Sequence, residues 1–144
     1  MHLFWRLRMP LFRYRKEYSK LFGTVYRPVA EVYFRDAEGR DLISFMYVDS
    51  GADITLLPRE LGENLDLTIE EEKIQEISGV GGGSIPVIIK TIEMRIGDYV
   101  INARVAWSLE EDVPALLGRM DVFNETKVSF IHNETVVFEF GDDE

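Results

Sequence analysis

An aspartate that directly follows an apolar segment constrains this chain more than any other feature. Leu42 to Val48 is an apolar run that predicts a buried β-strand, and the sequence Asp49-Ser50-Gly51 comes immediately after it. A carboxylate at the mouth of a buried strand costs free energy unless it is paired or hydrogen-bonded. Asp-Ser-Gly is also common in turns, because aspartate side chains bond backbone groups two residues further on. Taken alone, the motif fits a turn as well as a functional carboxylate.

The rest of the chain is rich in strand signals. Segments with many β-branched and aromatic residues predict strands at Val25–Phe34, Lys73–Ile77, Ile85–Ile96, Tyr99–Trp107, Val128–Ile131 and Val136–Phe140. Gly97-Asp98 is a two-residue hairpin signal. A short helical turn is predicted at Leu57–Leu61, with Pro58 near its start and Thr55 as a candidate cap. Strands at roughly ten-residue spacing indicate a compact all-β barrel or sandwich.

Composition narrows the chemistry. The chain has no cysteine and only two histidines, which excludes thiol nucleophiles and argues against histidine triads or multi-histidine metal sites. Acid–base chemistry would therefore come from carboxylates. Glu110-Glu111-Asp112 is an acidic run, but without matching ligands we interpret it as a solvated turn, and we predict no metal and no cofactor.

Charge is unevenly distributed along the chain. Residues 1–30 hold seven Lys/Arg and one acid, a net +6, whereas residues 31–144 hold nine Lys/Arg and 25 acids, a net −16, which together give −10. The acidic body argues against nucleic acid as a partner. We predict a basic, aromatic arm at residues 1–20 and one folded domain at residues 21–144.

The predictions of cellular location and of membrane contact both depend on the N-terminal segment. No apolar stretch is long enough to span a membrane, and Arg6, Arg8 and Pro10 interrupt the only candidate signal region. These observations predict a cytoplasmic protein. Attachment to a membrane surface through Phe4, Trp5, Phe12 and the basic residues of the arm is a minor alternative.

Three segments in a fixed order identify a family resemblance. They are Asp49-Ser50-Gly51-Ala52-Asp53, the glycine-rich Ser78–Ser84, and Leu116-Leu117-Gly118-Arg119. In this order the chain resembles the retroviral-type aspartic proteases, the retropepsin-like family, over about residues 22–140. The resemblance implies a closed β-barrel or sandwich with one short helix and a flap hairpin. Met120 stands where many members have Asn or Asp, and Asp121 follows one place later.

The resemblance also assigns roles to residues. Asp49 would be the catalytic carboxylate, supported by Ser50 and Gly51. Substrate backbone would be bound by Gly51, Ala52 and Asp53 and by the flap residues Val80, Gly81, Gly82 and Gly83. Asp53 and Arg119 would form a partly buried structural ion pair. For the glycine-rich segment the alternatives are a plain flexible loop and a phosphate-binding loop, and the second fails because no Lys-Ser/Thr follows the glycines.

The predicted activity follows from the number of such motifs. The sequence has one Asp-Ser-Gly, so a site with two carboxylates requires Asp49 from two chains. We therefore predict a homodimeric aspartic endopeptidase that cleaves extended peptides or proteins with hydrophobic residues beside the scissile bond. The alternative is a module with the same fold that grips a peptide or protein without cleaving it.

Overall fold

A computed structural model describes residues 9–79 and 82–141. In chain order its strands are β1 (Leu11–Arg13), β2 (Arg15–Ser19), β3 (Gly23–Arg27), β4 (Val29–Arg35), β5 (Asp41–Val48), β6 (Thr55–Leu57), β7 (Gln75–Ser78), β8 (Ser84–Ile96), β9 (Tyr99–Ser108), β10 (Leu116–Leu117), β11 (Thr126–Ile131) and β12 (Thr135–Phe140). Within the described ranges there is one α-helix, α1 (Arg59–Asn64), and there are two 3₁₀ turns, Glu71–Lys73 and Phe123–Glu125.

Six strands form a closed barrel. Their order is β4-β5-β10-β6-β9-β8, and β8 closes the barrel by pairing with β4 at Tyr33–Arg95 and Phe34–Met94. The predicted hairpin at Gly97-Asp98 joins β8 and β9, with Gly97 at a φ of 59°. The prediction of an all-β barrel with one short helix is confirmed.

The core follows the period-two alternation of the strands. Side chains that point into the barrel are almost fully buried, and the largest of those on barrel strands are Trp107, Phe34, Met46, Leu57 and Ile88. Intervening positions on the same strands, such as Ile43 and Phe45, face solvent. A short β-rich chain thus obtains a single large apolar interior, which supplies most of its stability.

A second sheet, ordered β1-β12-β11, packs one face against this core. Val136, Phe138 and Phe140 belong to the main apolar cluster, and Phe12 packs edge-on against Phe138 with ring centroids 6.0 Å apart. The turn between β11 and β12 places His132 and Asn133 at positive φ. This sheet carries the last predicted hairpin of the chain.

Within the described residues, the predicted arm forms strands from Leu11 onward. β1 pairs antiparallel with β12, and β2 pairs antiparallel with β3 to form a separate two-stranded hairpin. Pro10 is buried, and its carbonyl accepts a hydrogen bond from Phe138 N at 3.0 Å. Residues 1–8 lie outside the described residues, and the boundary between arm and domain at residue 20 stays a prediction.

Two local expectations were wrong. The strand predicted at Val25–Phe34 is two strands, β3 and β4, separated at Pro28, because proline has no N–H to continue a ladder. Thr55 does not cap the helix: it lies in β6, and Pro58 occupies the N-cap position of α1. None of the helices in the described ranges has the length and apolar character that crossing a membrane requires.

The close packing of α1 on the barrel can be tested by substitution. Gly62 is buried against the Trp107 indole, and a Cβ at this position would overlap the ring. Overpacking of this kind costs about 1–3 kcal/mol, so we expect Gly62→Ala to lower the free energy of unfolding by that amount in urea titrations. Gly141→Ala is the matched control, since nothing lies within 4 Å of its added Cβ. Equal stability of the two variants would contradict this packing.

Candidate active site

The segment that contains Asp49 is held by β10. β5 and β10 run parallel, with Tyr47 opposite Leu116 and Val48 opposite Leu117. The pairing continues past the end of β5, where Asp49 N donates to the Leu117 carbonyl at 3.0 Å. The backbone of Asp49 is therefore fixed by a segment distant in sequence.

The loops that follow the two strands also interlock. Arg119 N donates to the Ala52 carbonyl at 3.0 Å, and Met120 N donates to the Asp53 carbonyl at 2.9 Å. Gly118 lies against the Ile54 backbone, where a Cβ would overlap the carbonyl group. Only glycine allows two backbones to approach this closely.

Thr55 supports the place where these two loops cross, which we call the crossing. Its side chain is fully buried, and its hydroxyl accepts a hydrogen bond from Gly118 N at 3.1 Å. A buried N–H without a partner costs free energy, and the Thr55 hydroxyl supplies the acceptor that Gly118 N requires. The role was missed at the sequence level because Thr55 resembles a helix cap when only its neighbours are considered.

Asp49 itself forms a tight local turn. Its Oδ1 accepts a hydrogen bond from Gly51 N at 2.9 Å, and its carbonyl accepts one from Ala52 N at 3.2 Å. A Cβ on Gly51 would stand 3.3 Å from Oδ1, tighter than most contacts. The turn leaves the Asp49 side chain half-buried, with Ser50 and Gly51 exposed beside it. The turn and the functional-carboxylate interpretations of the motif are thus compatible.

Asp53 and Arg119 form an ion pair across the interlocked loops. Arg119 Nη1 also lies 3.4 Å from the Ser50 carbonyl oxygen, as a hydrogen-bond donor. In the single chain the Arg119 side chain is 51% exposed and the Asp53 side chain 83% exposed. An open depression of about 630 Å³ adjoins the pair and is lined by Asp53, Arg119, Met120, Phe123 and Asn124.

The described parts of the glycine-rich segment, residues 78–79 and 82–84, lie at the adjoining ends of β7 and β8, which pair antiparallel. Ile77 pairs with Ile85 and Ser78 with Ser84, and Gly79 N donates to the Gly83 carbonyl at 3.0 Å. Gly82 has a φ of 85°, and both Gly82 and Gly83 are exposed. The predicted substrate-binding residues Val80 and Gly81 lie outside the described residues.

A second apolar cluster lies on the side of β6 and β10 that faces away from the main core. Leu56, Val87 and Ala106 are buried in it, and it includes the partly buried residues Ile54, Ile77, Ile85, Val113 and Leu116. Leu116 pairs with Tyr47, two residues before Asp49, and Ile77 pairs with Ile85 at the base of the glycine hairpin. The cluster therefore connects the Asp49 loop with that hairpin. The alternation in Leu116-Leu117, where one side chain faces each way, is the sequence signal that could have found it.

Comparison with known proteins agrees with this geometry. The family model described as aspartyl protease matches residues 37–120, which is more than half of the chain. The chain belongs to the aspartyl protease family. Among solved structures, a retropepsin-like aspartic protease from Rickettsia conorii is similar, with 18% identity, a TM-score of 0.53, and coverage of 74% of this chain and 95% of that chain. No curated protein matches the chain significantly.

A polar network joins the β2–β3 hairpin of this aspartyl protease family member to β5. The Tyr47 hydroxyl donates to Glu17 Oε2 at 2.6 Å and accepts a hydrogen bond from Arg15 Nη2 at 2.9 Å. Arg27 Nε binds the other oxygen of Glu17 at 3.0 Å. The Tyr47 hydrogen bond, together with both arginines, holds the pKa of Glu17 below its usual value. This network cannot be predicted from the sequence, because nothing around Glu17, the single acid of a basic segment, indicates Tyr47 as its partner.

Asp121 anchors the loop after Arg119 to β9. Its carboxylate accepts hydrogen bonds from Arg104 Nε at 2.8 Å, Arg104 Nη2 at 3.0 Å and Arg104 N at 3.0 Å. Asp121 has a φ of 64°, a backbone conformation that Asp tolerates better than most residues. The hydrogen bonds from Arg104 lower the pKa of Asp121 to about 2.

Substitution of Thr55 tests the support of the crossing. Thr55→Val keeps the shape of the side chain but leaves Gly118 N facing a methyl group. We expect the free energy of unfolding to fall by about 1–3 kcal/mol in urea titrations, the cost of an unsatisfied buried donor. Thr91→Val is the control, since Thr91 is exposed on β8. If both variants unfold at the same urea concentration, the hydrogen bond to Gly118 contributes nothing.

The Arg104–Asp121 contact predicts a pH dependence of stability. The pKa of Asp121 is about 2 in the folded chain and 3.8 ordinarily, so the ionised form favours folding. This contribution is present above about pH 4 and is lost as pH falls from about 4 towards 2. We expect the melting temperature of wild type to fall more steeply over this range than that of Asp121→Asn. Asp98→Asn, in the exposed β8–β9 turn, should retain the wild-type slope, and a wild-type slope in Asp121→Asn would refute the assignment.

Proposed function

We propose that the chain is an aspartic endopeptidase that works as a homodimer, with one water activated between the Asp49 carboxylates of two chains. The observation that carries this proposal is the position of Asp49. It ends a barrel strand, its backbone is fixed by Leu117, and its half-buried carboxylate lies in a turn open to the exterior. Membership of the aspartyl protease family supports the reaction class.

The mechanism follows from two facing carboxylates. Because two adjacent carboxylates cannot both ionise cheaply, they hold one proton between them. The ionised carboxylate accepts a proton from water, whose oxygen attacks the scissile carbonyl carbon. The protonated carboxylate hydrogen-bonds the carbonyl oxygen and stabilises the charge that develops there. Return of a proton to the departing amine completes hydrolysis, with no metal or cofactor in any step.

The second chain is needed because the sequence contains one Asp-Ser-Gly. Asp53, Asp66, Asp98, Asp112 and Asp121 all lack the Ser-Gly that follows Asp49. A twofold axis beside Asp49 would bring the same loop from both chains together, as self-complementary interfaces do. In that arrangement the Ser50–Asp53 segment, in which Ser50, Gly51 and Asp53 are exposed, and the Asp53–Arg119 pair would lie at the contact between chains.

The surroundings of Asp49 favour extended, apolar peptides. The glycine hairpin would close over bound substrate and exclude water, and its exposed Gly82 and Gly83 leave the peptide backbone accessible to hydrogen bonding. The second apolar cluster lies between the hairpin and the Asp49 loop and supplies partly exposed aliphatic side chains such as Ile54 and Leu116. We therefore propose hydrophobic residues on either side of the scissile bond.

Replacement of the carboxylate tests the proposal. Asp49→Asn keeps the size of the side chain but removes the ionisable group, so we expect cleavage of a diverse peptide library to fall to background. The measurement uses high enzyme concentration across about pH 4–7, the range in which a shared-proton pair operates. The melting temperature of the variant should stay within a few degrees of wild type.

Asp98→Asn is the matched control and should cleave as wild type does. Retained cleavage in Asp49→Asn would eliminate Asp49 as the catalytic residue. A folded wild type that binds library peptides but cleaves none would favour the non-catalytic binding module instead.

A further inference from the structure

The most exposed large apolar side chains of the described residues lie together at the end of the β2–β3 hairpin. Tyr18 is 79% exposed, Leu21 is 80% exposed and Phe22 is 75% exposed. Tyr18 and Tyr26 are on one face of the hairpin, diagonally placed across the ladder. Leaving this much apolar surface in water is unfavourable, and such patches mark interaction sites.

This end of the hairpin is an ordered turn. The Ser19 hydroxyl accepts hydrogen bonds from Leu21 N and Phe22 N, each at 3.3 Å, and Gly23 closes the turn with a φ of 76°. The turn therefore presents Leu21 and Phe22 as neighbours, and we call Lys20, Leu21 and Phe22 the hairpin tip. The tip does not fold back onto its own barrel.

The base of the hairpin is fixed beside the candidate catalytic residue. Glu17 and Arg15 both bind the Tyr47 hydroxyl, and the Arg15 guanidinium lies over the Tyr47 ring at 5.1 Å from its centroid. Tyr47 is two residues before Asp49. If the proposed function holds, a second chain must approach Asp49, so the hairpin projects from the edge of that contact.

The length of the hairpin is comparable with the distance to the partner. The four residue steps of β2, from Arg15 to Ser19, extend about 13 Å at roughly 3.3 Å per residue, and the tip lies beyond them. Carboxylates that share one water lie within roughly 5 Å, and the four residue steps from Asp49 to Asp53 span at most about 14 Å. Ala52 N binds the Asp49 carbonyl at 3.2 Å, so this segment is folded and spans less than that upper limit. The length of the hairpin and the distance to the depression beside Asp53 of a second copy are therefore of the same order.

That depression offers the tip apolar surface beside charged groups. Met120 and Phe123 provide half-buried apolar walls, and the exposed Asp53–Arg119 ion pair lies at its side. The hairpin from Arg15 to Arg27 carries four cations and one acid, a net +3, against the net −16 of residues 31–144. Leu21 and Phe22 would cover this apolar surface, while the basic hairpin approaches a body of opposite net charge.

We propose that the tip of the β2–β3 hairpin docks into the Met120–Phe123 depression of a second copy of this chain. Twofold symmetry repeats the contact, so each of the two hairpins binds the other chain of the homodimer that forms the two-carboxylate site. This inference rests on the proposed homodimer and assigns its contacts. It gives the basic N-terminal segment a role in assembling the site.

Cross-linking tests the contact directly, because the chain contains no cysteine of its own. Leu21→Cys protein is mixed with Met120→Cys protein, oxidised mildly and analysed on a non-reducing gel. We expect a covalent dimer from the mixture and none when Ile43→Cys replaces Leu21→Cys, since Ile43 is exposed on β5 towards the end away from Asp49. A dimeric protein that gives no cross-link from the mixture would overturn the inference.

Sedimentation measures the energetic consequence. The double variant Leu21→Ser/Phe22→Ser should raise the dimer dissociation constant by about tenfold or more, because it removes two buried apolar anchors from each contact. Its peptide cleavage should weaken at low enzyme concentration and recover at high concentration. Ile43→Ser/Phe45→Ser, which also removes two exposed apolar side chains, is the control and should dimerise as wild type does.

The outcomes separate this inference from the proposed function. A wild type that dimerises and cleaves, with an unchanged dissociation constant in the tip variant, overturns the docking but leaves the protease. A wild type that stays monomeric and inactive at every concentration overturns both. Sedimentation of wild type with phosphatidylserine-containing vesicles, lost in the tip variant while dimerisation is unchanged, would assign the tip to a membrane surface and overturn docking to a second copy.

Discussion

The crossing of two backbone segments beside Asp49 is the constraint on which the rest of this structure depends. Asp49 N binds the Leu117 carbonyl, Arg119 N binds the Ala52 carbonyl, and Gly118 lies against Ile54 without room for a side chain. The barrel brings these segments together, since β10 lies between β5 and β6. All of these contacts are made by backbone atoms rather than by flexible side chains. The position of the carboxylate is therefore set by the fold as a whole.

Much of this arrangement can be predicted from the sequence, because it depends on local chemistry. Alternating strands, the Gly97-Asp98 hairpin and the order of the three motifs predict the barrel and bring Asp49, Gly118 and Arg119 to one place. Features that depend on contacts between distant segments cannot be predicted in this way. Thr55 looks like a helix cap until Gly118 is placed above it, and nothing near Glu17 in the chain indicates Tyr47. Pro28 ended a strand that its apolar neighbours appeared to continue, since the missing N–H outweighs their β-propensity.

The molecule has two regions of opposite net charge. The barrel and its loops are strongly acidic, and the hairpin that precedes β4 is basic. Glu17 is the acid within that hairpin, and it binds Arg15, Arg27 and Tyr47 at once. This one carboxylate offsets repulsion between Arg15 and Arg27, which face each other across the ladder. It also couples the orientation of the hairpin to the strand that ends at Asp49.

The parallel pairing of β5 with β10 has a consequence for the order of events during folding. The two halves of the crossing are separated by β6, α1, β7, β8 and β9 in the chain. Contacts between such distant segments form slowly, because the intervening chain must be ordered first. A chain still emerging from the ribosome holds Asp49 well before it holds Leu117 and Gly118. The crossing can therefore form only after β10 has been synthesised, and a shorter polypeptide contains the Asp49 carboxylate without the backbone contacts that fix its position.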